Sequence, residues 1–419
     1  MKKSIFTTTA ALLVSATLVA QTAGQKKILF DCTHAETSGN GDWCIDADTH
    51  NLNWGSSSVS TSGNESNPAQ YPTPTQTAVT SSTAETYWEG ALSNWAIDCV
   101  NKNYWVETLP YNGHITYGSS TNLQDLSKYN VFVVDEPNTI FTTAEKTAMM
   151  NFIKNGGSLF MISDHTGSDR NNDGYDSPAI WNDFITNNSV QNNAFGFKFE
   201  LQNFSDNSYT SNVASSTYDS ITHGQYGNVT EVKWSNGTCM TITPAQNASA
   251  KGHTWKNGKG QTDTAVTSVT ARYGCGKVAA IGDSSPPDDG TGNPSASLYN
   301  GYTSDANGNH RPWLMNMMIW LAEGGTCNQV TTGVKNYTDN ASVTVYPNPM
   351  QNQLTVQLPF VAQKAKAVLC DLLGNQITST EISEGSNLTL QQANLQAGVY
   401  LVMVTANNTT LQPIKVIKQ

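Results

Sequence analysis

Charge is scarce in this sequence. Only 13% of its 419 residues are Asp, Glu, Lys or Arg, about half the share of an ordinary soluble domain. Basic residues are the scarcer kind, 22 against 33 acidic, for a net charge of −11. Removing Lys2 and Lys3 with a leader leaves 20 against 33, a net −13. A chain this acidic lacks the basic face that phosphate binding needs, which excludes nucleic acid as its main partner and disfavours an anionic membrane surface. After residue 20 no apolar run reaches the ~20 residues needed to span a bilayer, so it is not an integral membrane protein of the helical kind. No Cys-x-x-Cys pair occurs, which rules out a zinc ribbon. No Gly-x-Ser-x-Gly string occurs either, so a nucleophile elbow of that type is missing. Apolar residues are not missing: 38% are hydrophobic and 9% aromatic, enough for a core and too many for a disordered chain. The length fits two or three domains.

The polarity comes from Asn, Thr, Ser, Gln and Gly, as in secreted bacterial proteins. Met1-Lys2-Lys3 followed by the apolar stretch Ala10 to Ala20 reads as a secretory signal peptide, residues 1–20. No Cys follows it, which argues against a lipoprotein leader. Export through the periplasm permits disulfides among Cys32, Cys44, Cys99, Cys239, Cys275, Cys327 and Cys370. Proximity along the chain suggests Cys32 with Cys44 and Cys239 with Cys275, but spacing leaves connectivity open.

At the far end, Val345-Tyr346-Pro347-Asn348-Pro349, Val368-Leu369-Cys370-Asp371-Leu372-Leu373-Gly374 and Leu395-Gln396-Ala397-Gly398-Val399-Tyr400-Leu401-Val402 precede a final Lys415-Val416-Ile417-Lys418-Gln419. Short alternating strands between Asn, Gly and Ser turns predict a small β-sandwich over residues 343–419. The segment resembles the C-terminal sorting domain of the Bacteroidota type IX secretion system. That resemblance implies the secretion machinery as a partner, export across the outer membrane, and removal or surface anchoring of the domain. Residues 329–342 form the expected linker.

Residues 26–328 read as an α/β domain with a mostly parallel sheet flanked by helices. Apolar runs Lys27–Asp31, Trp105–Leu109, Asn130–Asp135, Ser158–Ser163 and Lys277–Asp283 are the expected strands. Helical spacing spans Ala84 to Tyr104, a capping box opens a helix at Thr142, another begins at Pro178, and Trp313 to Ala322 closes the domain. From about Asn187 to Val266 the chain is polar and strand-like. Strands alternating with helices imply a parallel sheet, and ligands of such sheets bind outside the carboxyl ends of the strands. Val106-Glu107-Thr108-Leu109, Gly156-Gly157-Ser158-Leu159 and Ile221-Thr222-His223-Gly224, with the last strand and closing helix, resemble the class I glutamine amidotransferase-like superfamily, nearest its ThuA-like branch. The resemblance implies a flavodoxin-like sheet. It departs where that family carries its nucleophilic Cys: Asp164-His165 stands at that turn, which excludes glutamine hydrolysis through a thioester.

Each polar cluster follows a strand. Asp31, His34 and Glu36 lie on the first exit, running on to Asp42, Asp46 and Asp48; His34 and Glu36, two apart, can face one way in an extended loop and share a metal or a water. Asp164 and His165 suit metal ligation or acid/base work. Asp283 and Ser284 leave the last strand, with Asp288 and Asp289 beyond. Glu136 after the third strand is a further acid. Asp169, Asn171, Asp173 and then Gly174, with Asp176 close by, match the start of a calcium loop, although Ile180 occupies the twelfth position where an EF-hand has Glu. Trp43, Trp54, Trp181 and Tyr175 are candidate sugar-stacking rings. His310 and Arg311 precede the closing helix where an anion could sit.

These residues predict a secreted or cell-surface hydrolase of an extracellular polymer, a polysaccharide or an ester. Asp31, His34, Glu36, Asp164, His165 and Asp283 form its catalytic core. His34, Glu36, Asp164, His165 and Asp283 are the candidate ligands of a divalent ion, because crowded acids raise one another's pKa unless a cation relieves them. Mixed imidazole and carboxylate suits zinc or manganese, and all-oxygen ligation suits calcium. Nothing points to an organic cofactor. Two alternatives stay open: a serine esterase with Ser284 as nucleophile and His165 as base, and a calcium-stabilised glycan-binding protein without catalysis.

Overall fold

The computed structural model describes residues 24–36, 43–46, 76–291 apart from 89, 111 and 205–208, then 301–303, 309–324, and 343–419 apart from 372–375, 393, 408 and 411–412. The signal peptide, the linker, Asp42, Asp48, Trp54 and Cys327 lie outside the described residues. The chain divides into two compact units, residues 1–329 and 330–419.

The first unit is built on a nine-stranded sheet. Its strands are β1 (Lys26–Asp31), β2 (Tyr104–Leu109), β3 (Val131–Asp135), β4 (Ser158–Ile162), β5 (Phe197–Phe204), β6 (Gly237–Ile242), β7 (Lys251–Trp255), β8 (Val266–Tyr273) and β9 (Gly276–Ile281). The order is β2-β1-β3-β4-β9-β8-β6-β5, with β7 also beside β8. Strands β2, β1, β3, β4 and β9 run parallel. The pairs β9–β8, β8–β6, β6–β5 and β7–β8 are antiparallel. The sheet is therefore mixed rather than mostly parallel. The cause is local: β8 and β9 are joined through Gly274-Cys275 alone, with Gly274 at φ +57. A connection that short can only reverse the chain.

Helices α1 (Ser93–Asn101), α2 (Thr143–Lys154), α3 (Ser177–Thr186) and α4 (His310–Ala322) cover the parallel block. The strand side chains alternate between two cores. Leu29, Phe132, Val134, Leu159 and Met161 join Met149, Phe152, Ile153, Trp181 and Phe184 of α2 and α3. Ile28, Phe30, Val131, Val133 and Phe160 join Trp95, Cys99, Trp313 and Leu314 of α1 and α4. This two-sided burial explains why the strands read as unbroken apolar runs. The capping box at Thr142 and Glu145 opens α2. The helical spacing from Ala84 to Tyr104 yields only a single turn at Glu85–Tyr87 and then α1.

Cys275 is in a disulfide while Cys239 is a thiol, which corrects the pairing of these two. Cys275 sits at the β8–β9 turn, its N–H bonded to Lys154 O, whereas Cys239 lies in β6 beside the residues that meet the opposite end of β8. Cys32 and Cys44 are thiols, with their side chains hydrogen-bonded to each other.

The second unit is an antiparallel sandwich. One sheet holds Thr344–Tyr346, Gln353–Ala362 and Gly385–Gln391; the other holds Ala365–Cys370, Gln376–Ile382, Gly398–Ala406, Thr409–Thr410 and Ile414–Lys418. Met350, Leu354, Val356, Leu369, Leu388, Val402 and Val416 form its core. No helix among the described residues is long and apolar enough to cross a membrane.

Candidate active site

The parallel strands deliver acids to one edge. β1 ends at Asp31 and β3 at Asp135, followed by Glu136; β4 leads into Asp164-His165 and β9 into Asp283-Ser284. Register aligns these exits, since Ile162 pairs with both Asp135 and Ile281. Asp31, His34, Glu36, Asp135, Glu136, Asp164, Asp283 and Ser284 are all buried.

The loop after β1 forms a first group. Thr33 donates from its N–H and its hydroxyl to Asp31 Oδ1 at 3.2 and 2.8 Å. His34 Nδ1 lies 3.2 Å from Asp31 Oδ2, its Nε2 lies 3.5 Å from Glu145 Oε2, and its N–H donates to Glu36 Oε2 at 2.8 Å. Burial would lower the His34 pKa, but the bonds to Asp31 and Glu145 outweigh it and raise it to about 10. Burial and then the Asp31 charge push Glu36 well above the usual carboxylate range. One ligand-type atom from each of Asp31, His34 and Glu36 falls within 4.8 Å of the other two. Among the described residues Glu36 Oε1 is buried without a hydrogen-bond partner. A buried orphan acceptor in a mixed oxygen and nitrogen donor set is what a divalent ion would satisfy.

Glu136 is the centre of a second group. Its φ is +45, a strained value for a residue with a side chain, at a strand exit. Trp43 Nε1 and Ser284 Oγ donate to Glu136 Oε2 at 2.7 and 3.0 Å, and Arg170 Nη2 donates to Oε1 at 3.3 Å. Asp164 is hydrogen-bonded to Glu136 and lies 3.9 Å from Arg170 Nη2. Burial, then the charges of Glu136 and Asp283, raise the Asp164 pKa well above normal. His165 Nδ1 donates to Thr166 O at 2.8 Å, since a carbonyl can only accept, and its Nε2 lies 3.7 Å from Asp164 Oδ2. Asp283 accepts from the N–H groups of Ser235 and Ser285 at 2.6 and 2.8 Å, yet burial still lifts it to about 7. Among the described residues neither oxygen of Asp135 has a hydrogen-bond partner, nor has Asp288 Oδ2.

Two residues stitch the groups together. Trp43 N–H donates to Glu36 O at 2.8 Å while its indole holds Glu136. Asn138 donates through Nδ2 to Ala35 O and Glu136 O, each at 2.9 Å, and its Oδ1 accepts from Arg170 N at 3.1 Å.

Several expectations change. The five-residue ligand set separates: His34 and Glu36 cluster with Asp31, whereas Asp164, His165 and Asp283 fall outside that cluster. Ser284 bonds Glu136 rather than His165, so the serine–histidine pair is not formed. The oxygens of the expected calcium loop accept hydrogen bonds within the loop, and Asp173 Oδ2 takes one from Asn171 Nδ2 at 2.9 Å. Asp169 accepts from the N–H groups of Asp173 and Gly174, Asn171 from Asp173, Asp173 from Tyr175, and Asp176 caps α3 through Ala179 N. Trp43 and Trp181 are buried, which removes them as stacking platforms. His310 is buried between Gly301 O and Lys233 N, and Arg311 pairs with Asp98, so both side chains are engaged within the protein. Sequence reasoning missed Arg170, Asn138, Asp135 and Glu145. Asp135 alone had a usable signal, its place at a strand end.

No curated protein matches the chain. Among solved structures, the mmIFT52 N-terminal domain is 12% identical over 55% of this chain and 90% of its own, with a TM-score of 0.39. The cytoplasmic protein STM3548 of Salmonella typhimurium is 11% identical over 54% and 86%, with a TM-score of 0.36. Dimeric latent PorU of Porphyromonas gingivalis is 18% identical over 19% and 9%, with a TM-score of 0.16. These likenesses assign no family to the first unit. Residues 344–419, in contrast, match the secretion system C-terminal sorting domain, and this part of the chain marks the protein for export and outer-surface attachment by the type IX machinery.

Proposed function

We propose that the protein is an exported, metal-assisted hydrolase acting on an extracellular polymer, a polysaccharide or an ester. The observation that carries this reading is the buried Asp31–His34–Glu36 cluster with Glu36 Oε1 left unpartnered. A divalent ion held there would lower the pKa of a bound water and polarise the scissile group. Asp164, its pKa raised by burial and by the charges of Glu136 and Asp283, serves as the acid, and His165 Nε2 is the adjoining base. Glu136, clamped by Trp43, Ser284 and Arg170, orients Asp164. A cavity of about 500 Å³ lined by Leu109, Pro110, His114 and Leu123 begins one strand away, since Leu109 is the register partner of Asp31; it is the proposed path of the polymer. The strand order of the parallel block supports the amidotransferase-like reading of the fold, with Asp164-His165 at the strand exit where that family carries its thiol.

The test is metal analysis of the exported protein joined to a screen of polysaccharides and esters with and without chelator. Chelator-sensitive turnover lost in His34→Ala supports the reading. Turnover indifferent to chelator but lost in Ser284→Ala would replace it with the serine esterase.

A further inference from the structure

Cys32 and Cys44 are fully buried, and the thiol of one is hydrogen-bonded to the other. Cys32 directly follows Asp31, and its N–H is bonded to Leu109 O at 2.9 Å. Cys44 directly follows Trp43, and its carbonyl accepts from Leu92 N at 3.0 Å, at the start of α1. That carbonyl is so closely packed that a side chain at Gly90 would come within 2.0 Å of it. Both backbones are therefore pinned beside the hydrogen bond between their thiols. The same unit already carries a disulfide at Cys275, and the sorting domain routes the chain through compartments where disulfides persist.

We propose that in the exported protein Cys32 and Cys44 are joined by a disulfide that closes the loop bearing His34 and Glu36 onto Trp43. The bond forms by exchange with an oxidised dithiol protein of the periplasm. Two S–H bonds and the donor's S–S bond are replaced by the Cys32–Cys44 bond and two donor thiols, so two electrons and two protons pass to the donor. Bond formation closes the two sulfur atoms from hydrogen-bond contact to about 2.05 Å. The crosslink ties the two groups of the candidate site, because Trp43 is the residue that bridges Glu36 and Glu136. It does not depend on the hydrolase reading.

The experiment uses the full chain exported to a periplasm, unfolded in acidic denaturant with a maleimide, and digested without reduction. A linked peptide pair containing Cys32 and Cys44, two hydrogens lighter than the sum of its thiol forms, is the expected result. Maleimide on both cysteines overturns the proposal. Unfolding of Cys32→Ser, Cys44→Ser and the double variant gives a second readout. Each should lose roughly 5–10 °C in Tm, the double no more than either single. A thiol reductant should shift wild type further than the double variant, since the Cys275 disulfide is common to both. Additive losses, or equal shifts with reductant, would equally overturn it.

Discussion

The indole of Trp43 donates a 2.7 Å hydrogen bond to the carboxylate of Glu136, a residue 93 positions away. Through this bond the loop after β1 is fastened to the loop after β3. Trp43→Phe keeps the ring but removes the indole donor that Glu136 Oε2 shares with Ser284. The expected loss is about 1–3 kcal/mol, the cost of an under-satisfied buried acceptor. In a Glu136→Gln background the same substitution should cost at least ~0.5 kcal/mol less, because the amide offers a different acceptor to the indole. Urea unfolding of the four proteins measures this coupling, and strict additivity would refute the link.

Binding of a divalent ion at Asp31, His34 and Glu36 must expel protons. His34 is held protonated up to about 10, and Glu36 is raised by burial and Asp31. At neutral pH the proton on His34 should leave as the ion binds, with any proton held by Glu36 adding to it, and affinity should rise with pH. Calorimetric titration in buffers of different ionisation enthalpy reads the number of protons released. Binding without buffer dependence would remove these two residues from the ligand set.

Asp164→Asn should lower turnover by roughly 10²–10⁴-fold, the usual contribution of a positioned acid. Ser284→Ala should stay within about tenfold of wild type, since its hydroxyl only supports Glu136. A phosphonate that captures active serines should leave the protein unlabelled. The opposite ranking of the two variants would make Ser284 the nucleophile.

His310 gives stability a pH signature away from the site. Burial lowers its pKa to about 4 from 6.5, against the bonds to Gly301 and Lys233. The folded state therefore binds fewer protons than the unfolded one between these values. The sign follows: the contribution is complete above pH 6.5, falls as pH drops, and is spent by about pH 4, a total of about 3 kcal/mol. His310→Gln retains a donor and an acceptor but cannot titrate. The stability difference between wild type and this variant should decline as pH falls from 6.5 to 4. Comparing the two at each pH cancels buried acids such as Asp289, raised to about 7, whose stabilisation runs the other way and is lost as pH rises through that value. A constant difference would contradict a neutral buried imidazole.

Much of the architecture was legible locally. β3 and β4 announced themselves because burial on both faces demands unbroken apolar runs, and the capping box at Thr142 needs only four adjacent residues. The antiparallel half of the sheet was not, since one tight turn at Gly274 reverses the direction that alternating helices suggest. In the site, Asp31, Asp164 and Asp283 could be named from their places after strands. The pairing of Ser284 with Glu136 could not, because it spans 148 positions.

By itself the sequence determined the route and the parts: an exported chain, a C-terminal sorting sandwich, and acids placed where strands end. These are local patterns of polarity, and local chemistry writes them. Only tertiary structure decided which acids meet, which keep their protons and which residue stands at the centre. Those outcomes depend on register and on burial, and both arise only when distant strands lie side by side away from water.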